Sequence, residues 1–170
     1  RGTEWAMTAH GVGERFLLLD AEALTIVPES YVQRGATVLI DAIGIGDTTP
    51  EQATEDVLGQ AVLPLTPVHA TARAEGGGWR FDWIRRSRAG WNWNDGADAP
   101  LAEEQERYRV DLIHGGVAFR SATVTSPQWA YEAASIAADL VAGMGGAVTV
   151  EVRQIGTHGP GRPAFLSITI

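Results

Sequence analysis

The sequence predicts a mainly β protein, with a small β domain over residues 1–62 and a β-sandwich over residues 63–170. Large apolar and polar side chains alternate in its second half, and Gly, Pro and Asn residues that favour turns separate the alternating runs. A period of two allows a strand to bury one face and expose the other to water. Four segments show this alternation: residues 79–86, 108–112, 148–152 and 165–170.

The core of the predicted sandwich depends on two aromatic residues. Trp83 belongs to the first alternating run and Tyr108 begins the second. Large aromatic side chains contribute much of the buried area of a small core. We therefore expect Trp83 and Tyr108 to meet in one dry core between two facing sheets.

Composition and charge limit the classes of function. The chain has 170 residues, 45% hydrophobic and 20% charged, which is ordinary for a globular protein. Its net charge of −8 argues against nucleic acid as a partner, since such binding depends on neutralising phosphates. The absence of cysteine excludes disulfides and thiolate metal sites. No apolar run is long enough to insert into a membrane. Because the chain begins at Arg1 without a signal-peptide pattern, we expect it to be part of a longer polypeptide.

In the first domain, apolar and β-branched runs predict three strands, at residues 16–20, 24–27 and 36–43. Thr49 and Pro50 are suited to the cap and the first position of a helix, so a helix start is predicted over residues 49–52. Pro64 and Pro67 disfavour both a helix and a central strand, and they place the domain junction.

The second domain is predicted to begin with a strand over residues 68–73, followed by a Gly-rich turn at residues 76–78. Residues 87–100 form a long loop, rich in Gly, Asn and Asp. The Ala-rich segment 130–142 has apolar residues at helical spacing and predicts a short helix. Residues 157–163 form a Gly-Pro loop before the last strand.

Several segments of the second half, taken in order, resemble a known family. They are residues 63–69 (LPLTPVH), 83–88 (WIRRSR), 100–110 (PLAEEQERYRV) and 159–164 (GPGRPA). Together they are similar to the C-terminal part of the large tail-tip, or baseplate, host-specificity protein of gene transfer agents and related tailed phages. The resemblance covers most of residues 15–170 and is strongest over residues 63–110.

The resemblance implies a fibronectin type III-like sandwich, although no tyrosine lies near Val148 to form the usual tyrosine corner. It implies a structural and adhesive module that positions a particle on the bacterial host envelope. The implied partners are other tail and baseplate proteins, further copies of the chain in the tail, and an envelope glycan or surface protein. The implied location is the tail tip of a virion-like particle assembled in the bacterial cytoplasm.

The long loop contains the best candidate for ligand contact, the segment Trp91, Asn92, Trp93 and Asn94. Exposed indole rings can stack on a sugar, and asparagine amides can hydrogen-bond its hydroxyl groups. The alternative is that one or both rings fold back over the edge of the sandwich, since large aromatic residues are usually buried.

A second candidate is the arginine cluster Arg85, Arg86 and Arg88, which could hold an anion through bidentate contacts. The alternative, which we favour, is that these arginines pair with the acidic residues Glu103, Glu104 and Glu106.

The sequence predicts no catalytic residues, cofactor or metal. A contiguous acidic run gives no reason for the separated pKa values that glycoside hydrolysis requires. Asp95 and Asp98 resemble part of a calcium loop but lack the bidentate glutamate. The alternative function is a carbohydrate-binding module attached to a secreted glycoside hydrolase.

Overall fold

The computed structural model describes residues 9, 11–14, 20, 22, 33–90 and 98–170. It divides the chain into two compact units, Arg1–Ala61 and Val62–Ile170. In the described ranges, most of the regular secondary structure of both units is β-strand, which confirms the predicted mainly β fold class. No helix in these described ranges combines the length and the apolar character needed to cross a bilayer.

The first unit contains an antiparallel hairpin of β1 (Thr37–Ala42) and β2 (Glu51–Asp56). The strand predicted over residues 36–43 is confirmed by β1. The helix start predicted over residues 49–52 is wrong, because the chain continues as β2 directly after Pro50. The predicted strands at residues 16–20 and 24–27 lie outside the described residues, apart from Asp20.

Pairing with β1 explains why β2 is not helical. The hydroxyl of Thr37 donates to Asp56 at 2.6 Å, and the amide of Gln52 donates to Asp41 at 2.8 Å. These cross-strand hydrogen bonds fix the register of a strand whose residues are all exposed. Proline at the residue before a strand removes no ladder hydrogen bond, so Pro50 does not oppose the hairpin.

The second unit begins with a three-stranded antiparallel sheet. Its strands are β3 (Val68–Glu75), β4 (Gly78–Ile84) and β7 (Gln128–Tyr131), in the order β3-β4-β7. The predicted strands at residues 68–73 and 79–86 are confirmed within two residues at their ends. Both glycines of the β3–β4 turn have positive φ, 61° at Gly76 and 78° at Gly77, as a tight hairpin turn requires.

A second sheet faces the first. Its four main strands are β5 (Tyr108–His114), β6 (Val117–Val124), β8 (Ala147–Gly156) and β10 (Ala164–Thr169), in the order β10-β8-β5-β6. A short strand, β9 (Gly159–Pro160), pairs with the end of β8. One helix, α1 (Ala133–Val141), connects β7 to β8 and confirms the helix predicted in the Ala-rich segment.

The strand order is that of a fibronectin type III-like sandwich. The chain makes a hairpin in the first sheet, crosses to a hairpin in the second, returns once through β7, and then crosses again to β8 and β10. Antiparallel sheets that face each other in this way share one core of inward side chains. The predicted sandwich is therefore confirmed by topology and register.

The two aromatic residues predicted to form the core do meet. The rings of Trp83 and Tyr108 lie edge to face with their centroids 5.2 Å apart, and both residues are buried. A second aromatic row contains Phe81, Trp129 and Tyr131, stacked at 5.5 Å intervals. The opposite sheet contributes the aliphatic part of the core: Val110, Leu112, Val148, Val150, Val152 and Ile168.

Candidate functional site

Two loops lie at one end of the sandwich: one connects the two sheets, and the other connects two strands of the second sheet. Residues 85–107 join β4 to β5, and residues 157–163 join β8 to β10. Tyr108, the first residue of β5, pairs with Gln154 near the end of β8, so both loops leave the sandwich at the same end. We call the described part of these loops, residues 85–90, 98–107 and 157–163, the loop pole.

Arg85 holds the far end of the long loop. Its guanidinium donates to the carbonyl oxygens of Pro100 at 3.0 Å and Ala99 at 2.6 Å, and to the carboxylate of Asp98 at 3.0 Å. Its Nε lies 3.9 Å from a carboxylate oxygen of Glu106. The Arg85 side chain is 11% exposed and holds the loop mainly through the backbone carbonyls, whereas the Asp98 carboxylate is 90% exposed and forms a weak surface ion pair.

Arg88 and Glu103 connect the long loop to the loop before β10. Nε of Arg88 donates to Glu103 at 2.7 Å, and its Nη2 donates to the carbonyl of Ala102 at 2.6 Å. The other carboxylate oxygen of Glu103 accepts the backbone N–H of Thr157 at 2.9 Å. The Glu103 side chain is 2% exposed, so its charge is neutralised within the protein.

The same contacts set the titration of Glu103. Burial raises the pKa of its carboxyl, but hydrogen bonds from Arg88 and from the backbone of Thr157 outweigh burial and leave the pKa below its usual value of 4.5. Glu103 is therefore an anion at neutral pH. A carboxylate held in this way braces two loops and is unsuited to act as a general acid.

The structure places the three predicted arginines differently. Arg85 and Arg88 contact acidic side chains of the 103–106 run and backbone carbonyls, which is the internal pairing favoured from the sequence. Arg86 makes no hydrogen bond or ion pair within the described part of the chain. The backbone N–H of Glu104 donates to the hydroxyl of Thr157 at 3.4 Å. Binding of an anion by the three arginines stays a prediction.

The candidate segment Trp91, Asn92, Trp93 and Asn94 lies outside the described residues. The described residues on each side of it make side-chain contacts. Before it, Arg88 donates to Glu103, and after it, Asp98 accepts a hydrogen bond from Arg85. Stacking of its indole rings on a sugar stays a prediction.

Sequence reasoning missed a charged cluster that replaces the tyrosine corner. Arg120 of β6 donates to both oxygens of Asp139 at 2.5 and 2.7 Å, and the hydroxyl of Tyr131 donates to the same carboxylate at 2.6 Å. Hydrogen bonding from Arg120 lowers the pKa of Asp139, and burial raises the pKa of Tyr131. The cluster fixes α1 against both sheets. In the sequence, the only trace of this cluster is the spacing of Tyr131 and Asp139, eight residues apart, which is a weak signal.

A metal site is not formed by the described residues, in which no group of three or more His, Asp or Glu side chains could hold an ion. Among the described carboxyls, those with shifted pKa values are Glu103 and Asp139; the pKa of each lies below its usual value, and each is held by an arginine. The charged groups described so far therefore brace loops and a helix.

Comparison with known proteins gives structural likenesses. No protein-family model matches the chain, and no curated protein matches its sequence. The extracellular region of rat CD45, domains d3-d4, is similar with a TM-score of 0.46 and 8% identity, over 96% of this chain and 78% of that one. The structures described as "FN3tt mut" and "Myokine structure" have TM-scores of 0.41 and 0.37, both at 13% identity, over 63% and 62% of this chain and 96% of theirs. The fibronectin type III-like assignment rests on the strand order and register described above.

Proposed function

We propose that this chain is a structural and adhesive module of a phage-like tail-tip or baseplate protein, of the kind found in gene transfer agents. In this role it positions the particle on a bacterial envelope and performs no catalysis. The ordered resemblance over residues 63–110 supports the tail-tip assignment. The observation that carries the adhesive role is the braced loop pole, where Arg85 and Arg88 fix the two ends of the segment that contains Trp91 and Trp93.

The proposed mechanism follows from this bracing. A sandwich supplies a stiff support, and a loop held at both ends loses less conformational entropy when it binds. Trp91 and Trp93 would stack on an envelope sugar while Asn92 and Asn94 hydrogen-bond its hydroxyl groups. Several copies in one tail, together with other tail and baseplate proteins, would turn weak single contacts into firm attachment.

Binding to isolated envelope tests the proposal. The whole chain, biotinylated and presented either as a monomer or as a streptavidin tetramer, is passed over envelope fragments of the bacterium that encodes it. We expect weak retention of the monomer and a gain of about 10²–10⁴-fold in apparent affinity for the tetramer. Trp91→Ala with Trp93→Ala should abolish retention of the tetramer. The matched control is Phe165→Ala, which removes an aromatic residue that is 62% exposed on β10.

Two outcomes contradict the proposal. If the double tryptophan variant binds envelope as the wild type does, the loop is not the adhesive surface. If the wild-type monomer instead binds soluble neutral oligosaccharides with measurable affinity, the chain is a carbohydrate-binding module of the kind attached to secreted glycoside hydrolases. Co-purification with tail proteins then distinguishes the two assignments, since the tail-tip proposal requires it.

A further inference from the structure

The outer face of the four-stranded sheet carries two rows of paired charges. Arg109 of β5 lies opposite Arg153 of β8, and Asp111 lies opposite Glu151 in the next row of the same face. Nε of Arg109 donates to the two oxygens of Asp111 at 2.9 and 2.8 Å, and Arg153 pairs with Glu151. Like charges directly opposite each other destabilise a sheet, so each carboxylate offsets the repulsion between the two arginines.

These charges are layered in depth. The side chains of Asp111 and Glu151 are 8% and 12% exposed, while those of Arg109 and Arg153 are 50% and 29% exposed. The carboxylates therefore lie beneath the guanidinium groups. A small anion that approaches this face meets N–H donors first, and the acidic groups hold those donors in place.

A cavity of 490 Å³ opens above this pair of arginines. Arg109, Asp111 and Arg153 form its polar lining. Ile155 and Pro160, which are partners in the β8–β9 pairing, form an apolar wall. Its volume lies within the range of small-molecule sites, in which apolar walls and a few convergent polar groups are combined.

We propose that this cavity binds the anionic group of an acidic saccharide. Arg109 and Arg153 hold the carboxylate or phosphate of the sugar, and the sugar ring rests on Ile155 and Pro160. Each guanidinium has five N–H donors. The contacts within the described part of the chain use Nε and Nη2 of Arg109 and Nη2 of Arg153, which leaves donors of both groups for the ligand. The two arginines lie on the face of the sheet, outside the loop pole, and Pro160 is the one lining residue that belongs to it. The site does not depend on Trp91 or Trp93.

Titration of the whole ¹⁵N-labelled chain tests this site, with glucuronate and glucose 6-phosphate as probes and glucose as the neutral control. We expect either acidic sugar to shift the side-chain Nε–H signals of Arg109 and Arg153 and the amide of Ile155, and glucose to leave them unchanged. Shifts with both acidic sugars support recognition of any sugar-borne oxyanion, and shifts with glucuronate alone support a uronate. Absence of shifts with either, or equal shifts with glucose, overturns the proposal.

A pair of conservative variants separates binding from folding. Arg109→Lys with Arg153→Lys keeps both charges but removes the planar forks, so the affinity for the acidic sugar should fall at least about tenfold. Arg73→Lys is the matched control, because Arg73 is 63% exposed and pairs with Glu75 and Asp82 on the other sheet. Unchanged affinity in a folded double variant contradicts the proposal. If that variant does not fold, Pro160→Ser, which alters the apolar wall, must weaken binding in its place.

The proposed envelope adhesion can fail without this inference failing. Trp91→Ala with Trp93→Ala should leave the shifts caused by glucuronate or glucose 6-phosphate unchanged, since these residues lie in another loop. The lysine double variant should likewise leave the proposed envelope binding through Trp91 and Trp93 intact. The two sites are therefore tested by different variants and different readouts.

Discussion

Glu103 shows how one side chain can brace two loops. It accepts hydrogen bonds from Arg88 at 2.7 Å and from the backbone of Thr157 at 2.9 Å, while its side chain is 2% exposed. A buried carboxylate that is paired in this way stabilises the fold only while it is ionised. Stability at the loop pole should therefore depend on pH.

The sign of that dependence follows from the depressed pKa of Glu103. Because the folded-state pKa lies below the usual value of 4.5, the carboxylate contributes stability that is complete above that value and is lost as pH falls through the folded-state pKa. Glu103→Gln should lower the free energy of unfolding at pH 7 by about 1–3 kcal/mol.

Urea unfolding at a series of pH values from neutral to acid checks this expectation. The difference in unfolding free energy between wild type and Glu103→Gln should be largest at pH 7 and should shrink in acid. Glu104→Gln is the matched control, because the neighbouring carboxyl belongs to an exposed residue. If this difference in unfolding free energy is the same at every pH, the pKa of Glu103 is not lowered by folding, which would contradict the account.

The sandwich requires a glycine at position 78. A Cβ at this position would lie 2.3 Å from the carbonyl oxygen of Tyr131 and 3.1 Å from the nitrogen of Ala133. Both neighbours are backbone atoms, so they cannot rotate away. Gly78→Ala should destabilise the protein by roughly 1–3 kcal/mol.

The control for Gly78 is a glycine in open surroundings. A Cβ at Gly145 would meet the side chain of Leu140 at 3.7 Å, an ordinary contact. Gly145→Ala should therefore change stability by no more than about 0.5 kcal/mol. Equal urea midpoints for the two alanine variants would contradict the close approach of β4 to the end of β7.

At the scale of single elements, the stability of α1 depends on the contacts of one carboxylate, that of Asp139. A helix of nine residues is too short to be stable alone. Asp139, which is 6% exposed, receives hydrogen bonds from Arg120 of β6 and from Tyr131 at the end of β7. This cluster performs the tethering role of a tyrosine corner at the same connection between sheets.

Loss of the Asp139 carboxylate should release α1. Asp139→Asn leaves Arg120 without its bidentate partner and should cost about 1–3 kcal/mol. Hydrogen exchange of the α1 amides should accelerate more than that of β8. The control is Asp98→Asn at an ion pair whose carboxylate is 90% exposed, where a loss of at most about 1 kcal/mol is expected. Equal exchange rates in α1 of both variants would contradict the tether.

The elements that the sequence predicted and those it missed differ in how much they depend on distant partners. Strands with a strong period of two, such as those that contain Trp83 and Tyr108, were predicted because burial of one face leaves a local pattern. The edge strand β6 was missed, since its burial is partial and its run of Ala, Arg and Ser is weakly apolar. A signal was present in Gly115 and Gly116, whose φ values of 59° and 81° form the tight turn before it.

The same reasoning explains which contacts of the candidate sites could be predicted. Arginines at the end of one predicted strand and an acidic run at the start of the next suggested cross-strand pairing, and Arg88 does pair with Glu103. The carbonyl acceptors of Arg85 could not be predicted, since they depend on the path of the loop. The charge cluster on the sheet face could not be predicted, because it depends on the register of β5 against β8, which no local pattern specifies. This cluster consists of Arg109, Asp111, Glu151 and Arg153.

On the scale of the whole molecule, the two proposed recognition surfaces lie on one sandwich, in the second unit. The loop pole lies where both sheets connect, and the arginine pair lies on the outer face of the four-stranded sheet. Both depend on the same core, because β4, β5 and β8 carry the buried aromatic and aliphatic side chains.

The most direct test of this account is a nuclear Overhauser measurement on the whole chain, between the ring protons of Trp83 and Tyr108. Their centroids are 5.2 Å apart in an edge-to-face contact between the two sheets, so strong cross-peaks are predicted, together with slow exchange of the Trp83 indole N–H. Absence of these cross-peaks, with an indole N–H that exchanges at the rate of a solvent-exposed group, would contradict the single shared core on which both surfaces depend.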